Sequence, residues 1–275
     1  MAGNGADARR RPRAVQDERR RAPDAALQSP FPPLKVTSNL HMMWMIVETI
    51  FFQGFATAMT DQFRFGRQYD FHELVADGIV HGIGVVFALI GATALIFYAT
   101  VWTSYAEMAA AWIYGLGLVI ALAVSFTYNM WPHSRTKWIL RRFDHSAIFV
   151  LIAATYTPFL VKGAHDWVIL SLLIGIWATA FVGIYLKCRF PGRYDRLAIL
   201  LYLAMGWSGA MALGPISQTL PGITVLLIIV GGCIYSAGVI FHVWERLRFQ
   251  NAIWHGFVVT AAAVHYSAVV TAIGH

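Results

Sequence analysis

Residues 79–102 read IVHGIGVVFALIGATALIFYATVW, a run of 24 residues without Asp, Glu, Lys or Arg. At about 1.5 Å rise per residue, a helix of this length spans the ~30 Å hydrocarbon layer of a bilayer. The run is apolar on every side, whereas a helix of a soluble bundle would carry a polar stripe. Backbone N–H and C=O groups find no water in lipid, so the run is expected to be helical. Six further runs read the same way: 108–131, 145–161, 167–186, 197–216, 222–244 and 253–273. The expected fold is therefore all-α, a polytopic bundle of seven transmembrane helices.

Composition agrees. The 275 residues are 58% apolar and 13% charged, against ~25% charged in soluble domains. An ordinary soluble enzyme and a disordered chain are both excluded. Two cysteines, Cys188 and Cys233, do not make a disulfide scaffold. Eight of the 21 Lys and Arg fall within the first 35 residues, and residues 59–275 carry 13 basic against 9 acidic residues, so only +4 of the net charge of +7 belongs to the apolar part of the chain. It does not indicate a nucleic-acid partner.

Loop charges set the expected orientation. Arg135, Lys137, Arg141 and Arg142 follow the second run; Lys187, Arg189, Arg193 and Arg196 follow the fourth; Arg246 and Arg248 follow the sixth. The alternate loops hold only Lys162. Positive loops stay cytoplasmic, so the N-terminus is expected inside and the C-terminus outside, in a bacterial inner membrane. Residues 1–40 read as a basic disordered tail. Met43, Met45 and Met59 leave a downstream start open. Residues 41–72 read as an interfacial segment, because Glu48, Gln53 and Gly54 interrupt its apolar run. Residues 73–275 form the membrane domain.

This topology gathers the polar residues at one depth. Glu73, Asp77 and His81 start the first helix; Ser125, Tyr128 and Asn129 end the second; Asp144 and His145 start the third; His242 ends the sixth; Asn251 and His255 start the seventh. Charged groups in a membrane cost ~2.5–3.5 kcal/mol on insertion scales, so they pair, line water or act. Asp77 and His81, Ser125 and Asn129, and Asn251 and His255 are each spaced i,i+4 and share a helix face. Such groups can hold a metal or position a water. Blander roles stand beside these. Asp144 can be a helix N-cap, His145 an interfacial residue and His265 a core residue. Pro158 is expected to kink the third helix, with Thr155 and Thr157 taking up freed backbone groups.

Four motifs carry a family resemblance. Glu73-x3-Asp77-x3-His81-Gly82-Ile83-Gly84, the stretch Ser125–Asn129 followed by Arg142–Ile148, the stretch Ala154–Phe159, and Asn251–Val258 ending at His265 together resemble the hemolysin III family of the progestin and adiponectin receptor superfamily. The resemblance runs from Glu73 to Ala272. It implies a zinc ion held by a histidine four residues after the second-helix serine and by two seventh-helix histidines. An aspartate starting the third helix would orient the metal-bound water, and lipid amide hydrolysis of ceramidase type would follow. Carried over, these roles fall to Asp144 as water-orienting base, Ser125 beside it, and His255 as a ligand. Asn129 and Asn251 stand where the other two histidines belong, and Asp77 where the family usually has asparagine. Amides are poor zinc ligands. His242 and His81 are candidate replacement ligands, with Asp77, Tyr128 and His145 in support.

The expected function is a metal-assisted hydrolase of a lipid amide or ester, with membrane lipids as partners. The rivals are a non-catalytic membrane sensor or lipid-homeostasis factor, and a cytolysin.

Overall fold

The computed structural model describes residues 69–190, 192 and 194–274, and these contain helices and no strand. The tail 1–40 and most of the segment 41–72 lie outside the described residues. The helices are α1 (Phe71–Trp102), α2 (Tyr105–Met130), α3 (Arg135–Val161), α4 (Trp167–Arg189), α5 (Asp195–Trp207), α6 (Leu213–Thr219), α7 (Gly222–Val243) and α8 (Gln250–Ile273). Six of them, α1 to α4, α7 and α8, are long and apolar enough to cross a membrane.

Neighbours in the bundle run α7, α8, α1, α2, α3, α4, and α8 also reaches α3. The interior is dominated by small side chains, among them Ala88, Ala99, Ala111, Ala153, Ala180, Ala261 and Ala268. Lipid tails are as apolar as leucine, so close backbone approach rather than water exclusion holds such helices together. Large apolar residues such as Phe87, Ile90, Phe97 and Phe181 point outward. In α3, 61% of the spanning window is buried, against 17% in α7, so α3 is the central helix.

The fifth expected run, 197–216, is interrupted. α5 ends at Trp207, a 3-10 turn covers Ser208–Ala212, and α6 follows. Tyr156 of α3 explains the break: its hydroxyl donates to the Gly206 carbonyl at 2.6 Å and accepts from the Gly209 N–H at 3.1 Å. It satisfies backbone groups that a continuous helix would have paired internally.

The third helix also begins earlier than expected. Ser134 caps it, accepting from the Lys137 N–H at 3.3 Å. Arg135, Lys137, Arg141 and Arg142 therefore lie on its first turns rather than in a loop, and Asp144 is a buried interior residue, not an N-cap. Thr155 and Thr157 donate to the Leu151 and Ala153 carbonyls around Pro158.

Candidate functional site

Glu73 sets the site's register. Asp70 and Glu73 form a capping box at the start of α1, with bonds of 2.8 and 3.0 Å. The Glu73 N–H holds the Asp70 carboxyl below the ordinary carboxylate range. The second Glu73 oxygen accepts from the Phe249 N–H at 2.9 Å. Phe249 is the N-cap of α8 and sits in the left-handed region at φ 57°. One buried glutamate thus pins together the starts of two helices far apart in sequence. Higher up, Gly84 lets them approach: a Cβ there would lie 2.7 Å from Val259 Cγ2.

One turn beyond Glu73, Asp77 becomes a hub. Its Oδ1 lies 2.7 Å from His255 Nδ1 and 3.3 Å from His81 Nδ1. Its Oδ2 accepts from Asn251 Nδ2 at 2.8 Å, and that same nitrogen lies 2.9 Å from Asn129 Oδ1. Asp77 and His81 are each only 2% exposed, so the carboxylate has traded water for three side chains of α1 and α8. Paired and hydrogen-bonded, a buried charge is tolerated.

His81 carries the cluster toward α2. Its Nδ1 is 2.9 Å from the Asp77 carbonyl, and its Nε2 is 3.3 Å from Ser125 Oγ. A carbonyl and an ionised carboxylate only accept, so the partners assign a proton to Nδ1, and in the neutral ring Nε2 then keeps a lone pair facing the serine. By the same reasoning His255 donates from Nδ1 to Asp77. The rings of His81 and His255 pack at 4.0 Å between centroids. Asn129 Nδ2 donates to the Ser125 carbonyl at 2.9 Å and lies 3.4 Å from Ser125 Oγ. The buried Asp144 carboxylate stands close to Ser125.

Other candidates lie elsewhere. His242 is outside the Asp77 group: it packs on Trp254 at 4.8 Å, and its buried Nδ1 has no hydrogen-bond partner. His145 turns toward Asp195, 3.7 Å away, which also pairs with Arg141 and Lys187 at 2.7 and 2.5 Å. Tyr128 meets the edge of His145 at 6.4 Å. Lys137, absent from the expected set, lies over Tyr128 at 5.3 Å and donates to the Asn129 and Trp131 carbonyls that end α2. Its only sequence signal was a cation eight residues beyond Asn129.

An ion-paired set on a membrane helix bundle, drawn from α1, α2, α3 and α8, defines a polytopic membrane protein with a buried polar site. The Haemolysin-III related family model matches residues 69–266, and the chain belongs to that family. It is 37% identical over 194 residues to the "Hemolysin-3 homolog" of Bacillus subtilis (strain 168), covering 70% of this chain and 91% of the relative. It is 34% identical over 197 residues to "Hemolysin-3" of Bacillus cereus, covering 70% and 89%. It is also 34% identical over 169 residues to the "Monocyte to macrophage differentiation factor" of Homo sapiens, covering 59% and 70%.

The zinc that the resemblance implies does not fit its implied positions. Asn129 and Asn251 are bonded to each other, and Asn251 presents its amide nitrogen, a donor, to Asp77. A cation needs lone pairs there. Asp77, His81 and His255 do form a group of metal-ligand types, with ligand atoms within 4.8 Å of one another. Their facing nitrogens carry protons toward Asp77, so a cation at that point would displace two of them.

Proposed function

We propose that this protein is a membrane-embedded hydrolase that cleaves an acyl amide or ester of a lipid, working at the cytoplasmic headgroup level of a bacterial inner membrane. The observation that carries this reading is the half-buried Ser125 set against the buried Asp77, His81, Asp144 and His255. It joins carboxylates, imidazoles and a hydroxyl in hydrogen-bonding reach beside a half-open rim of α2 residues 125–130. General base, nucleophile or water, and amide donors are the parts that acyl transfer requires.

The depth follows from seven crossings with the N-terminus inside. Residues 195–219 supply 25 residues for the fifth, about 37 Å if helical throughout, enough despite its break. With that topology the site opens where headgroups and acyl linkages lie, and membrane lipid is the partner. Asp144 orients the attacking water. Zinc on Asp77, His81 and His255 is the competing arrangement, in which the cation would polarise the acyl carbonyl.

The test is fatty-acid release from a panel of acyl-amide and acyl-ester lipids by protein in nanodiscs. Turnover that falls at least a hundredfold in Asp144→Ala supports the reading. No turnover on any lipid, with ligand-induced thermal stabilisation intact, favours a lipid sensor. That second reading draws on how completely the cluster satisfies its own hydrogen bonds.

A further inference from the structure

We infer that Ser125 is a covalent nucleophile, activated by His81 and oriented through Asp77, so that the acyl group passes through a Ser125 ester rather than directly to water. This rests on the hydrolase reading above and specifies its chemistry. The observation is the placement of His81 between Asp77 and Ser125. Nδ1 faces the Asp77 carbonyl at 2.9 Å and its carboxylate at 3.3 Å, and Nε2 faces the Ser125 hydroxyl at 3.3 Å, so in the neutral ring with its proton on Nδ1 the Nε2 lone pair meets the serine. That is the order serine, imidazole, carboxylate on which hydroxyl activation depends. A separation of 3.3 Å is long for the bond, as such contacts often are without substrate.

The i,i+4 spacing of Asp77 and His81 holds the imidazole rigidly, because both partners of Nδ1 belong to one residue of the same helix. Helix α2 cannot offer free backbone N–H groups in mid-helix, so an oxyanion must be met by side chains. Asn129 Nδ2, 3.4 Å from Oγ, is the nearest such donor. Its amide stands where an imidazole was expected. Ser125 itself is half-buried, whereas His81 is enclosed, so an acyl carbonyl can reach the hydroxyl while the base stays dry.

The steps balance. Oγ forms a bond to the acyl carbon as its proton moves to His81 Nε2, and Asp77 stabilises the imidazolium. The acyl C–O or C–N bond then breaks, and the leaving alcohol or amine takes that proton. Water attacks the Ser125 ester, passes one proton to His81, and releases the fatty acid. His81 returns the proton to Oγ. Asp144 is the second acceptor beside the serine and is placed to orient that water.

The experiment treats full-length protein in nanodiscs with an alkyl fluorophosphonate, followed by intact mass and peptide mapping, alongside fatty-acid release with and without chelator. The expected result is one adduct, on Ser125. It should be lost in Ser125→Ala, slowed at least tenfold in His81→Gln and in Asp77→Asn, and unchanged by chelator. Thermal melts show whether each variant folds. If His81→Gln fails to fold, Asn129→Ala takes its place, with slower labelling expected. Fatty-acid release that persists in Ser125→Ala, or that chelator abolishes while Ser125 stays unlabelled, overturns the nucleophile and leaves the hydrolase standing. Absence of both labelling and turnover overturns both readings.

Discussion

At the scale of single residues, Asp77, Asn129 and Asn251 decide what chemistry the site can run. The Asn251 amide nitrogen bridges the carboxylate and the Asn129 side-chain oxygen at 2.8 and 2.9 Å, where imidazoles would have offered lone pairs. Restoring imidazoles should restore a cation site. The double variant Asn129→His/Asn251→His is expected to retain about one equivalent of zinc after purification, and the wild type less than about a tenth, as read by elemental analysis. Equal zinc in both proteins would show that the native residues already bind it, on Asp77, His81 and His255. The shared helix faces of Asp77 with His81, Ser125 with Asn129 and Asn251 with His255 were legible from spacing alone. The turn of His242 toward Trp254 was not, because it depends on how α7 rests on α8. Nor was the role of Glu73, whose second oxygen reaches a backbone N–H 176 residues away.

At the scale of elements, the site exists because α1 and α8 start together and stay close. Glu73 fixes the starts, and Gly84 permits the approach. A side chain at 84 meets Val259 at 2.7 Å, and overpacking of this kind costs about 1–3 kcal/mol. Gly84→Leu should destabilise the protein by that order in SDS unfolding and cut turnover by spreading Asp77 from His255. Unchanged stability would mean that α1 and α8 are not seated as described. The order of the long helices was readable from apolar runs, but α1 and α3 begin before their runs do, at Phe71 and Arg135. Two features escaped. The basic start of α3 resembles a loop by composition, and the break after Trp207 is imposed by Tyr156 from another helix.

At the scale of the whole molecule, alanines and a few polar groups make up most of the bundle's interior around a handful of large residues such as Tyr114 and Phe149, and many large apolar side chains face outward. Such an interior gains little from water exclusion, so its polar contacts weigh more in fixing one arrangement. All of the functional reading depends on α1 and α8 bringing Asp77 and His255 to 2.7 Å across 178 residues of chain. A double-mutant cycle on Asp77→Ala and His255→Ala, read by SDS unfolding in bicelles, measures that directly. Coupling of about 0.5–2 kcal/mol is the predicted result, given bonds of this kind in membranes and to charged groups. Losses that simply add, within ~0.3 kcal/mol, would contradict the shared site and every role assigned to it.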